Sequence, residues 1–105
     1  MDTLARSRRP SYRPVPADQL AHALTEMPGW RGDVHRIQRT VQPADLWALL
    51  ERVADAEAEL DHHTVVDLER GTLTFVLWTH ARDAVTDADL ELARRIDEVV
   101  DAASA

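Results

Sequence analysis

Five histidines are the side chains in this sequence that titrate near neutral pH in their ordinary state, and three of them, His62, His63 and His80, lie within a short span. The first two sit in Asp61-His62-His63-Thr64, and the third closes Trp78-Thr79-His80. Three chemistries fit such a set. A shared metal ion would need the imidazoles on one side. Neighbours on an extended chain point to opposite faces, however, and the spacing matches no usual zinc pattern, so no metal is expected. A structural role would leave the rings hydrogen-bonded in the core, one of them capping the end of a long helix. An acid–base role would put them in a pocket walled by Trp78, because imidazole both donates and accepts protons at pH 7. Periodicity does not choose between the last two.

The totals narrow the classes. A length of 105 residues suits one domain with a modest core. A net charge of -7 argues against a nucleic-acid footprint and against binding to an anionic membrane. All 12 basic residues are Arg. The absence of Cys excludes disulfides, thiolate ligands and a Cys nucleophile. No apolar run approaches the roughly 18 residues that span a bilayer, and the N-terminus lacks the apolar core of a signal peptide, so the expected location is cytoplasmic.

Elements that could position the histidines follow from patterning. Residues 1–15 carry Arg and Pro among few apolar side chains and read as a flexible basic tail, leaving 16–105 as a single domain. Leu20, Ala23, Leu24 and Met27 fall at helical spacing from Ala17, and Pro28-Gly29 stops that helix. Trp30 follows, Arg31-Gly32-Asp33 offers a turn, and Ile37, Arg39 and Val41 alternate as in a strand. The main helix is expected over about 43–60, with Pro43 in its first turn, Leu46, Leu49, Leu50, Val53, Ala56 and Leu60 as its stripe, and Glu51, Asp55, Glu57 and Glu59 on a solvated face. Trp47 on this helix is read as core or interface.

Two β runs, 64–68 and 72–79, flank a turn centred on Arg70-Gly71. That register puts Val66 and Leu68 with Leu73, Phe75 and Leu77 on a core face, and His63 and His80 with Val65, Val76 and Trp78 on the other. The last helix opens at Thr86, with Asp89 three residues on as a capping partner, and carries Leu90, Ala93, Ile96 and Val100 inward to about residue 102. The order is α+β: an antiparallel sheet of about four strands with three helices packed on one face. The uncovered sheet face lines a ligand site or is buried by a second copy of the chain, and the edge strands suit a homodimer or a dimer of dimers.

Pro28-Gly29-Trp30, Ile37-Gln38-Arg39-Thr40, His62-His63, Thr79-His80 and Asp89-Leu90-Glu91-Leu92-Ala93, in this order, resemble the pterin-4a-carbinolamine dehydratases from residue 17 to about 101. The resemblance implies a hydro-lyase, with His62 and His80 exchanging protons as the hydroxyl leaves C4a and His63 holding the pterin ring. It implies no metal or organic cofactor, and adds Asp89, Trp30 and Trp78 as substrate-binding residues. Asp89 also has its capping reading, and Trp30 that of a hydrophobic plug. The motif is partly degenerate: Ala58 stands where the family has an acid, Thr64 replaces a proline, Arg70 an aromatic, and Val66 a frequent Trp. These departures keep open a non-catalytic member of the same fold that acts as a chaperone, assembly factor or transcriptional cofactor.

Overall fold

The computed structural model describes residues 10–104. In chain order these form α1 (Ala17–Glu26), β1 (Arg31–Gly32), β2 (Ile37–Val41), α2 (Leu46–Leu60), β3 (Val65–Glu69), β4 (Thr72–Leu77), a 3-10 turn (His80–Arg82) and α3 (Asp87–Ser104). The four strands make one antiparallel sheet in the order β1-β2-β4-β3. No helix among the described residues is long and apolar enough to cross a membrane.

Strand register decides which side chains meet the helices. Ile37 opposes Leu77, Arg39 opposes Phe75 and Val41 opposes Leu73, so these six share one face. Leu73, Phe75, Leu77 and Ile37 there have no exposed surface and join Leu49, Val53, Leu92, Ala93 and Ile96 of the helices in one core. Burying each such large side chain is worth about 1.5–3 kcal/mol, which is what fixes the helices to this face. The opposite face is polar where β2 meets β4, with the Thr40 and Thr74 hydroxyls 3.1 Å apart.

Turns follow the local chemistry. Arg70 (φ 52) and Gly71 (φ 81) are both left-handed, as a two-residue hairpin turn requires, and the expected centre at Arg70-Gly71 is the one observed. The first hairpin differs from expectation: Arg31 and Gly32 are strand, and the turn starts at Asp33, whose Oδ1 accepts the His35 N–H at 2.8 Å. A Cβ on Gly32 would lie 2.1 Å from the Arg36 carbonyl oxygen, so the close approach of the two chains needs glycine.

Four further expectations are corrected. Val66 and Leu68 lie on the core side but remain 38% and 46% exposed, because β3 is an edge strand that overhangs the helical layer. Trp47 is 73% exposed and is therefore no part of the core. Residues 1–9 of the expected tail lie outside the described residues, but Ser11–Val15 are bonded along the start of α3, with Val15 buried. The main helix starts at Leu46, and Asp45 caps it by accepting the Ala48 N–H at 3.1 Å.

Candidate active site

The C-terminus of α2 aims the histidine pair. Asp61 takes a left-handed conformation (φ 51), its N–H donates to the Ala58 carbonyl at 3.4 Å, and the His62 N–H donates to the Glu57 carbonyl at 3.1 Å. This is a Schellman ending with Asp in the place usually held by Gly. It turns His62 inward, leaving its side chain 10% exposed, and leaves the His63 side chain 82% exposed.

His62 meets Asp89 of α3, with Nε2 2.5 Å from Oδ1. Asp89 has no exposed surface, and such a carboxylate needs donors around it. Its Oδ2 accepts the Thr86 N–H at 2.8 Å, the Thr79 hydroxyl at 2.9 Å and the Thr86 hydroxyl at 3.3 Å. An ionised Asp89 only accepts, so it holds the proton of neutral His62 on Nε2 and leaves a lone pair on Nδ1. No buried side-chain nitrogen or oxygen lacks a partner among the described residues. Among the described residues His62 Nδ1 makes no side-chain hydrogen bond, so its lone pair is left for a ligand.

A pocket of about 250 Å³ lies beside this pair, lined by Asp61, His62, His63, Thr64, Val65, Trp78, Thr79 and His80. The Trp78 and His80 rings are 4.2 Å apart at their centroids, and the Arg36 guanidinium sits 4.4 Å from the Trp78 ring. Such a cation over an aromatic face is attracted by the ring quadrupole. His80 is exposed at the start of the 3-10 turn, whose geometry is closed by the Thr79 N–H donating to the Ala84 carbonyl at 2.9 Å. His63 Nδ1 lies 3.6 Å from the Glu57 carboxylate, and the same oxygen accepts the Thr64 N–H at 2.8 Å.

The pocket thus brings together His62, His63, His80 and Trp78. Asp89 stands behind His62 with no surface of its own, so it reaches a ligand only through that ring while also capping α3. Trp30 is elsewhere: it is 3% exposed, and its Nε1–H donates to Asp97 at 2.7 Å, which makes it the plug and not a pocket wall. Glu57, expected on a solvated face, is an 18% exposed member of the site. The sequence signal was available, since Glu57 adjoins Ala58, but helical periodicity groups it with the outward acids. Thr86 was expected beside Asp89 as its cap partner, but the Thr79 and Tyr12 hydroxyls were missed, because their partners lie 10 and 49 residues away and carry no local pattern. Among the described residues no three His, Asp or Glu side chains converge as metal ligands. A larger hollow of about 430 Å³ between α1 and α3 contains His22 but none of the three clustered histidines.

Comparison with known proteins places the chain in one family. The family model described as pterin 4 alpha carbinolamine dehydratase matches residues 13–99. A protein of Nocardia farcinica that carries the name pterin-4-alpha-carbinolamine dehydratase is 42% identical over 86 residues, covering 78% of this chain and 90% of its own length. A similarly named protein of Streptomyces coelicolor is 33% identical over 90 residues, covering 82% of this chain and 89% of its own. In fold, the chain resembles a Brucella melitensis crystal structure titled transcriptional coactivator/pterin dehydratase, with a TM-score of 0.75 at 22% identity, covering 82% of this chain and 97% of that one.

Proposed function

The chain belongs to the pterin 4 alpha carbinolamine dehydratase family, and from that premise we propose that it is a hydro-lyase that removes water from a 4a-hydroxytetrahydropterin. The C4a–O bond breaks, the N5–H pair becomes the N5=C4a double bond, and the products are the quinonoid dihydropterin and water. Two protons move, one from N5 and one to the departing oxygen, and no electron is exchanged with a second reagent. Imidazoles alone therefore balance the step, with neither a metal nor an organic cofactor in the scheme.

The observation that carries the reading is the convergence of three imidazoles on one pocket with His62 held by Asp89. The open Nδ1 of His62 takes the N5 proton, and the buried Asp89 carboxylate steadies the imidazolium that forms. His80 protonates the 4a-hydroxyl, His63 holds the ring edge, and Trp78 offers a flat apolar wall to the pterin. The product returns to a reductase, which completes the recycling of a tetrahydropterin consumed by a hydroxylase. A cytoplasmic location suits that cycle.

The test is a rapid-mixing absorbance assay with 4a-hydroxytetrahydropterin generated in place, compared with its spontaneous dehydration. Wild-type protein should accelerate the loss of water, and His80→Ala should lower the rate constant on the order of 100-fold or more, with unchanged circular dichroism. No acceleration by folded protein would sink the lyase and leave the protein-binding reading. Full turnover in His80→Ala would place the acid elsewhere.

Self-association belongs to the same proposal. The edge strand β3 exposes Val65, Val66 and Leu68 together with unpaired backbone groups, which suits pairing with a second copy in a homodimer. Light scattering of wild-type protein should give twice the chain mass, and Val66→Lys should give the monomer. A monomeric wild type would refute it.

A further inference from the structure

We infer that Tyr12 is a positioning residue for His62: its ring packs 5.8 Å from the imidazole centroid while its hydroxyl donates to the carbonyl of the left-handed Asp61 at 3.1 Å. The inference rests on the proposed role of His62 in proton transfer.

The segment that carries Tyr12 is built into the start of α3. A helix begins with N–H groups that lack partners within it, and here the strap supplies them. The Asp87 N–H donates to the Arg13 carbonyl at 3.2 Å and the Ala88 N–H to the Ser11 carbonyl at 3.0 Å. The Val15 N–H donates to the Val85 carbonyl at 3.0 Å, and Pro14 bridges to Thr86. Side chains repeat the attachment: Ser11 Oγ donates to Asp87 Oδ2 at 2.7 Å, and Arg13 Nε to the same oxygen at 3.2 Å. The strap is thereby fixed to the helix turn that holds Asp89.

From there Tyr12 reaches the other half of the pair. His62 leaves α2 through the Asp61 turn, and Asp61 is the residue whose carbonyl Tyr12 binds. One side chain therefore ties the start of α3, which supplies Asp89, to the end of α2, which supplies His62. The ring also lies against the imidazole, tilted by 52°, and narrows its choice of rotamers. Tyr12 precedes the residues matched by the family model, so this contact lies outside the matched pattern. At 42% exposure it contributes little to the core, so its loss should leave the fold standing.

The experiment compares wild type, Tyr12→Ala and Tyr12→Phe in the full chain by histidine-selective NMR and by dehydration kinetics. Removing the ring should move the His62 ring-proton resonances through the lost ring current and lower kcat about tenfold, with KM changed less than twofold, because small misplacements of a proton-transfer group are costly. Tyr12→Phe should restore the ring-current shift but only part of kcat, because it lacks the hydroxyl that holds the Asp61 carbonyl. Unmoved His62 resonances in Tyr12→Ala would overturn the inference whether or not the protein turns over. An unchanged kcat in Tyr12→Ala, with active wild type, would overturn it as well. Failure of the wild type to accelerate dehydration would instead overturn the proposed function, and the NMR comparison would still decide the contact.

Discussion

Asp89→Asn separates the two jobs of one buried carboxylate. Oδ2 takes the Thr86 N–H at 2.8 Å and the Thr79 hydroxyl at 2.9 Å, while Oδ1 meets His62 Nε2 at 2.5 Å. Asparagine keeps one acceptor oxygen, and the Thr86 and Thr79 donors both need it. The amide NH2 must then face His62, where Nε2 has to accept. The proton of neutral His62 moves to Nδ1, and the nitrogen that was open to a substrate as a base becomes a donor. At the third helical position the remaining amide oxygen still accepts the Thr86 N–H, so the cap geometry survives. What is lost is the charge: hydrogen bonds to charged groups are worth about 1.5–3 kcal/mol against 0.5–1.5 kcal/mol for neutral ones, a cost of about 1–2 kcal/mol here. At about 4–8 °C per kcal/mol for a domain of this size, Tm should fall by about 5–15 °C. Turnover should fall by on the order of 100-fold to 10,000-fold, the range that well-placed proton transfer contributes. Calorimetry reads the first quantity, the rapid-mixing assay the second, and ¹⁵N shifts of the His62 ring the tautomer. An unchanged tautomer with turnover within a few-fold of wild type would refute the coupling of Asp89 to the pocket through His62.

Three other changes test separate parts of the structure. Trp30→Phe removes the N–H donated to Asp97, whose other partner is Arg39, and should lower stability by about 1 kcal/mol in chemical denaturation with kcat and KM unchanged; a loss of turnover would return Trp30 to the site. Thr64→Pro deletes the N–H that Glu57 accepts at 2.8 Å, so Glu57→Ala should cost less in that background than in wild type; additive effects in the double-mutant cycle would show that the contact carries no energy. Burial pushes the Asp87 carboxyl up, but hydrogen bonds from Ser11 and Arg13 and the charges of Arg13 and Arg94 outweigh it and hold the group below its ordinary value of 3.8. A lowered folded-state value means stability that is fully present above the unfolded value and lost as pH falls through the folded one. Wild type should therefore melt above Asp87→Asn at neutral pH, with the gap closing as the pH falls below 3.8, and a gap that widens in acid would contradict the assignment.

Legibility in the sequence followed the range of each interaction. The hairpin turn at Arg70-Gly71 is a local matter of two left-handed residues, and it set the β3–β4 register that gathers His63, Trp78 and His80 on one pocket. The helical stripe through Leu49, Val53, Ala56 and Leu60 was equally local. Burial of Val66 and Leu68 was not, because alternation reports which face a side chain takes and says nothing of whether a helix lies over it. Tyr12 lay in a stretch whose composition reads as unstructured. Its order comes from orphan donors of α3, more than 70 residues away, and composition is blind to those. The capping reading of Asp89 was legible because Thr86 lies three residues before it, whereas its contact with His62, 27 residues away, has no local pattern.

The departures from the family motif are also less independent than they look in the sequence. Proline at position 64 would have no N–H, whereas Thr64 has one, and Glu57 accepts it at 2.8 Å. An acid one residue earlier on α2 points about 100° around the helix from position 58. At that azimuth its carboxylate reaches both Thr64 and, at 3.6 Å, His63 Nδ1. The backbone carbonyl of the same Glu57 accepts the His62 N–H. One residue therefore holds the chain on either side of the histidine pair, its carbonyl before His63 and its side chain after it. Replacing the proline supplies the donor, and placing the acid at 57 instead of 58 supplies the acceptor, so each change makes sense only beside the other. Here the two changed positions meet each other: the Glu57 carboxylate accepts the Thr64 N–H and lies 3.6 Å from His63 Nδ1, while the His62 N–H is held by the Glu57 backbone carbonyl.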